Sequence, residues 1–203
     1  MSLTGARKKG KKFLNPIPTD EAGFGKMIPI LKEYYNNTAE NTPKKQLGPF
    51  KTDVSVFNSA AATGLRITLI GHSSLLIEID GKRILTDPVW SERVSFSSFF
   101  GPKRFFEPPI ALEDLPPLDA IIVSHDHYDH LDKNTIKYFA GKHIPFITSL
   151  KVGQHLVSWG VEKNFITELD WGDSTMLGHD CNITATPARH FSGRAGVAVI
   201  LQS

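Results

Sequence analysis

The sequence predicts an α/β fold. Three features carry that expectation: short β-rich runs that begin at Leu65, an Asp80-Gly81 pair between two of them, and a later alternation of apolar runs with helical patterns. Residues 1 to 62 are rich in Lys, Asn, Pro and Gly and read as an extension wrapped around a core that starts later. One helix is expected there, around Glu21 to Tyr35, interrupted by Pro29. The composition changes near Gly64, which divides the chain into an N-terminal extension, 1–62, and a domain, 63–203.

Strands are expected over Arg66 to Ile70 and Leu75 to Ile79. Asp-Gly between alternating segments is a strong hairpin signal, so Arg83 to Thr86 forms the return strand. From Asp87 to Pro117 aromatics and prolines crowd together without a clean period (Trp90, Phe96, Phe99, Phe100, Phe105, Phe106), which predicts a long ordered loop, and such loops tend to be functional. Ala120 to Val123 is a buried strand, and Leu131 to Ala140 is a helix with Asp132 as its N-cap. Pro145 to Thr148, Asn164 to Leu169 and Ile183 to Thr186 read as strands, with a helix over Lys151 to Trp159.

At 203 residues with 40% hydrophobic content, the chain can bury a core of its own. A formal charge of +2 is too small to argue for nucleic acid, and the basic excess sits mainly in Arg7, Lys8, Lys9, Lys11 and Lys12. This arm reads as a solvated tail or as a means of holding the protein at an anionic surface. No apolar run reaches the length of a membrane span, and no signal-peptide h-region follows the arm. A cytoplasmic or peripherally membrane-bound protein is expected. The single cysteine, Cys181, has no internal disulfide partner and reads as a small strand residue.

The chemistry concentrates in Ser124-His125-Asp126-His127-Tyr128-Asp129-His130-Leu131-Asp132, directly after the Ala120 to Val123 strand. Alternation along an extended segment sends His125 and His127 to one side, while the following turn can bring Asp129 and His130 to a second point nearby. Two adjacent metal positions follow. Imidazoles and carboxylates suit Zn²⁺, with Fe or Mn as other options, and the absence of nearby Cys excludes a thiolate site. His190, at a strand end after Thr186-Pro187, is expected to complete a three-histidine set with His125 and His127. His72, after Gly71, and Asp87, before Pro88, also fall at strand ends; there they would orient ligands or accept an imidazole N–H. His143, His155 and His179 read as surface or packing residues.

Several segments together resemble a known family. Gly71-His72, Leu85-Thr86-Asp87-Pro88, Gly101-Pro102-Lys103-Arg104-Phe105, Leu115-Pro116-Pro117-Leu118-Asp119-Ala120, the histidine block, Glu168-Leu169-Asp170-Trp171 and Thr186-Pro187-Ala188-Arg189-His190 are similar to metallo-β-lactamase-fold hydrolases related to N-acyl-phosphatidylethanolamine-hydrolysing phospholipase D. The likeness runs from about Phe13 to His190. It implies an αββα sandwich with a two-zinc site at the sheet edge. His125, His127 and His190 would hold one zinc, Asp129 and His130 the other, and Tyr128 would touch the substrate. The family's bridging Asp and a further His come from a second half of the fold and have no counterpart before Ser203. Only the N-terminal portion of the sandwich is therefore expected, with an incomplete C-terminal half and apolar sheet surface left exposed.

The resemblance implies phosphodiester hydrolysis, with an N-acyl-phosphatidylethanolamine giving phosphatidic acid and an N-acylethanolamine. The aromatic loop from Trp90 to Phe106 would either contact acyl chains or pack on the core, and Lys103 and Arg104 would attract the anionic headgroup. A phospholipid or another small molecule is the expected partner, at a membrane surface, and a homodimer is compatible with the sequence. Two other readings keep the metal site: a lactonase or esterase of the same fold, and a truncated, non-catalytic remnant.

Overall fold

The computed structural model describes residues 5–9, 12–15, 17, 29, 32, 36, 43–61, 64–95, 101–190, 192 and 194. The helix expected around Glu21 to Tyr35 falls almost wholly outside them, as do Phe96, Phe99 and Phe100 of the aromatic loop.

Six strands form the central sheet: β3 (Leu65–Gly71), β4 (Ser74–Ile79), β5 (Lys82–Thr86), β6 (Ala120–Val123), β7 (Phe146–Ser149) and β8 (Ile166–Leu169), paired in that order. β3, β4 and β5 are antiparallel; β5 to β8 run parallel. The change follows from the connections. A tight Asp80-Gly81 turn can only reverse the chain, whereas the long segment from Asp87 to Asp119 and helix α1 (Lys133–Phe139) each return it to the same end. Helix α2 (Gly153–Ser158) joins β7 to β8.

Burial alternates along β4, as strict alternation of residues on a pleated strand requires. Register then aligns Leu76 with Leu85, Leu85 with Ile121, and Ile121 with Phe146, so these four buried residues make one continuous row across the sheet. α1 and α2 cover this row with Ile136, Phe139 and Leu156, and Phe57 joins the same core. Ile84, Ala120 and Ile147 lie on the opposite face, packed against the hairpin of β9 (Ser174–Leu177) and β10 (Cys181–Thr184) through Leu177, Cys181 and Ile183. That cover stops short of β3, where Leu65, Ile67 and Leu69 are 46%, 55% and 57% exposed.

The expected strands appear within a residue or two of their expected ends, and Asp132 caps α1 by accepting from the Asn134 amide at 3.1 Å. β9 was not anticipated, nor was the hairpin of β1 (Arg7–Lys9) and β2 (Lys12–Leu14) within the basic arm. Phe13 of that hairpin is 5% exposed, and the Ala6 amide donates to Asp170 Oδ1 at 2.8 Å, so this part of residues 1–62 lies against the domain.

Candidate metal centre

Every chemically notable side chain arrives at one end of the sheet, from the segments that follow β3, β5, β6 and β10. The motif begins where β6 ends. Thr148 Oγ1 donates to Val123 O at 2.7 Å and Ser149 Oγ donates to Ser124 O, which ties the departing backbone to β7. The chain then turns: the amides of His130 and Leu131 both donate to His127 O, at 3.1 and 2.8 Å. This turn brings Asp129 and His130 beside His72.

Two groups result, each with its ligand atoms within 4.8 Å of one another: His125, His127 and His190, and His72, Asp129 and His130. In the first, Nε2 of His190 lies 3.0 Å from Nε2 of His125. Two imidazoles at adjacent corners of a tetrahedral metal, each bonded at about 2 Å, would hold their nitrogens about 3.3 Å apart, so the spacing fits. In the second, His72 Nε2 is 3.1 Å from Asp129 Oδ2. The His125 and His130 rings stand 4.0 Å apart, which makes the groups neighbours.

The electrostatics of His125 and His127 agree with a ligand role. Burial, then the neighbouring His130, His127 and His190, lowers the pKa of His125 to about 3, and burial with His190 lowers that of His127. Both rings are therefore neutral near pH 7, the form that binds metal. For His130, burial disfavours the charged form, but the hydrogen bond and charge of Asp87, with Asp129, outweigh it and raise the pKa.

Asp87 is 6% exposed and stands behind the ligands: Oδ1 accepts from the Ser124 amide at 2.7 Å, and Oδ2 lies 2.8 Å from both Ser124 Oγ and His130 Nδ1. Ser74 Oγ donates to Asp87 O at 2.6 Å and accepts from the Val89 amide at 3.1 Å, fixing the carboxylate's backbone. Asp87 and His72 both adopt left-handed backbone, at φ 39° and 48°. Non-glycine residues in this region store strain that recurs at functional sites.

Placement of the other anticipated residues is mixed. Sequence reasoning gave His72 an orienting role, and the structure puts its imidazole within ligand range. Tyr128 faces Arg194, whose guanidinium sits 4.4 Å from the ring centre. Lys103 pairs with Glu92, and Arg104 Nη2 donates to Val89 O at 3.0 Å. Both line a cleft of about 970 Å³ with Trp90, Arg93, Phe105 and Ile110. Three contacts gave no sequence signal: Asn15 Nδ2 donates to His190 O at 2.6 Å, Ser192 Oγ donates to Asp126 Oδ2, and His155 Nε2 lies 4.0 Å from the same carboxylate oxygen.

Residues 82–201 match the beta-lactamase superfamily domain, and the chain belongs to that superfamily. The mixed sheet and its helices are accordingly the metallo-β-lactamase fold. Over 134 residues the chain is 50% identical to an uncharacterised protein of Mycobacterium tuberculosis, covering 66% of this chain and 36% of that protein. It is 38% identical over 208 residues to N-acyl-phosphatidylethanolamine-hydrolysing phospholipase D 1 of Caenorhabditis elegans, covering 94% and 57%. To the mitochondrial enzyme of the same name from Saccharomyces cerevisiae it is 35% identical over 194 residues, covering 88% and 41%. The chain thus spans between about a third and three-fifths of these relatives.

Proposed function

We propose that this chain acts as a metal-dependent hydrolase that cleaves phosphodiesters, with an N-acyl-phosphatidylethanolamine as substrate and phosphatidic acid and an N-acylethanolamine as products. The pair of three-ligand groups, side by side at one end of the sheet, is the observation that carries this reading. The two phospholipase D relatives support the choice of substrate class.

His125, His127 and His190 would hold one zinc ion, and His72, Asp129 and His130 a second. Zinc bound there lowers the pKa of water into the neutral range and polarises phosphoryl oxygens. The chain's own residues then have distinct tasks. Asp87 fixes the ring of His130 and the start of the motif through Ser124. Tyr128, in the turn between the two ligand groups, would touch a bound substrate. The cleft beside the loop would offer Trp90 and Phe105 to acyl chains and Lys103 and Arg104 to an anionic headgroup, which would bring the protein to a membrane surface. Among the described residues no helix is long and apolar enough to cross a membrane.

The test is hydrolysis of N-acyl-phosphatidylethanolamine in mixed micelles by the zinc-loaded protein, read by mass spectrometry of both products. Turnover that chelation removes, that zinc restores and that His127→Ala abolishes is expected. Hydrolysis of lactones or carboxyl esters with none of the phosphodiester would replace this substrate with an acyl one, and metal binding without turnover of either would leave a metal-binding remnant.

A further inference from the structure

We propose that Arg194 is a positioning residue that clamps the ligand-bearing turn, and that it does so together with His190 as one unit. The inference rests on the reading of the two histidine groups as metal sites. The residues that flank the turn, Asp126 and Leu131, are 3% and 0% exposed, and carbonyls turned from water must be met by donors. Arg194 Nε donates to Asp126 O at 2.7 Å, and Arg194 Nη2 donates to Leu131 O. One side chain therefore holds both ends of the turn that contains Tyr128, Asp129 and His130.

The guanidinium plane is itself fixed. It lies 4.4 Å from the centre of the Tyr128 ring and 4.9 Å from that of Trp159, which anchors it to the end of α2. Two residues earlier, Ser192 Oγ donates to the carboxylate of Asp126, which is 3% exposed. Residues 190, 192 and 194 thus deliver an imidazole, a hydroxyl and a guanidinium to successive parts of one motif. Displacing the clamp would release the turn that carries Asp129 and His130 and the segment that carries His190 at the same time. Lysine cannot substitute, because only a planar fork can address two carbonyls at fixed spacing while presenting flat faces to two rings.

The experiment titrates the metal-free 203-residue protein, and its Arg194→Ala and Arg194→Lys variants, with Zn²⁺ in competition with a chromophoric chelator. Thermal melting of each metal-free protein is recorded in parallel. The expected result is zinc binding weakened by about tenfold or more in both variants, as for other residues that orient ligands. Guanidinium ion at millimolar concentration should recover part of the loss in R194A and none in R194K. Affinity in R194A equal to that of the unaltered protein would overturn the clamp. Should R194A fail to fold, R194K decides alone, and unchanged affinity there overturns the proposal. Failure of the unaltered protein to bind zinc would instead reject the metal-site reading beneath it.

Discussion

Asp87 holds His130 by Nδ1, the ring nitrogen turned away from Asp129: that contact is 2.8 Å, while His130 Nε2 faces Asp129 Oδ2 at 3.9 Å. A hydrogen bond from Nδ1–H to a carboxylate leaves the Nε2 lone pair for ligation. Both Asp87 oxygens accept, so the amide of Asp87→Asn must turn its NH₂ toward a donor of Ser124 or His130. The substitution should weaken metal binding at the group of His72, Asp129 and His130 by about 10- to 100-fold. The group of His125, His127 and His190 should keep its metal. Metal per chain after dialysis against graded chelator checks this, and two ions retained with unchanged affinity would contradict it.

Asp132 joins the long loop to α1. Its carboxylate accepts from the amides of Trp90, Ser91 and Asn134 at 3.2, 2.9 and 3.1 Å, and from the hydroxyls of Ser91 and Thr135 at 2.9 and 2.6 Å. Asp132→Ala leaves the Trp90 amide its bond to Thr135 Oγ1 at 3.0 Å but removes the acceptor of the other donors at an 8% exposed position, and should cost about 2–4 kcal/mol. Asp132→Asn keeps the cap and should lose less. Urea unfolding compared at constant slope tests the order of the two.

Acid should unfold the protein partly through Glu78. Hydrogen bonds from Arg66, opposed by burial and reinforced by Arg83, lower its pKa from the ordinary 4.5. The folded state therefore binds its proton less readily than the unfolded chain. The stabilisation is fully present above the ordinary value and disappears as pH falls through the lowered one. Glu78→Gln should flatten the decline of melting temperature below about pH 5 while lowering it at neutral pH. An unchanged acid limb would remove Glu78 from the account.

The arm before the domain reaches the metal centre through Asn15, which donates to the main-chain oxygen of His190. Asn15→Ala should cost about 1 kcal/mol of stability, the worth of one hydrogen bond, and weaken zinc binding by less than tenfold. A titration with competing chelator distinguishes this from no effect.

The parts of this molecule that were legible in its sequence are those set by local periodicity. Alternation announces β4, Asp80-Gly81 announces the turn, and the spacing of His125 and His127 places both on one side of an extended segment. The hairpin of Arg7–Lys9 and Lys12–Leu14 was hidden because its basic residues read as solvated tail. β9, with Ser-Thr-Met-Leu, has too weak an alternation to stand out. The partnership of His72 with Asp129 depends on how the β3–β4 turn meets the β6 loop, and no local pattern encodes such a meeting. Arg194 escaped for the same reason: the two carbonyls it meets lie more than 60 residues away in sequence.

The two ligand groups share no residue, and each joins distant parts of the chain; His125 and His190 alone are 65 positions apart. An ion in either group would act as a cross-link, closing a long loop in the folded state much as a disulfide does. Because it binds the folded chain far better than the unfolded one, folding stability should climb with the logarithm of free metal. In a cell that limits zinc, the lifetime of this protein would then follow metal supply.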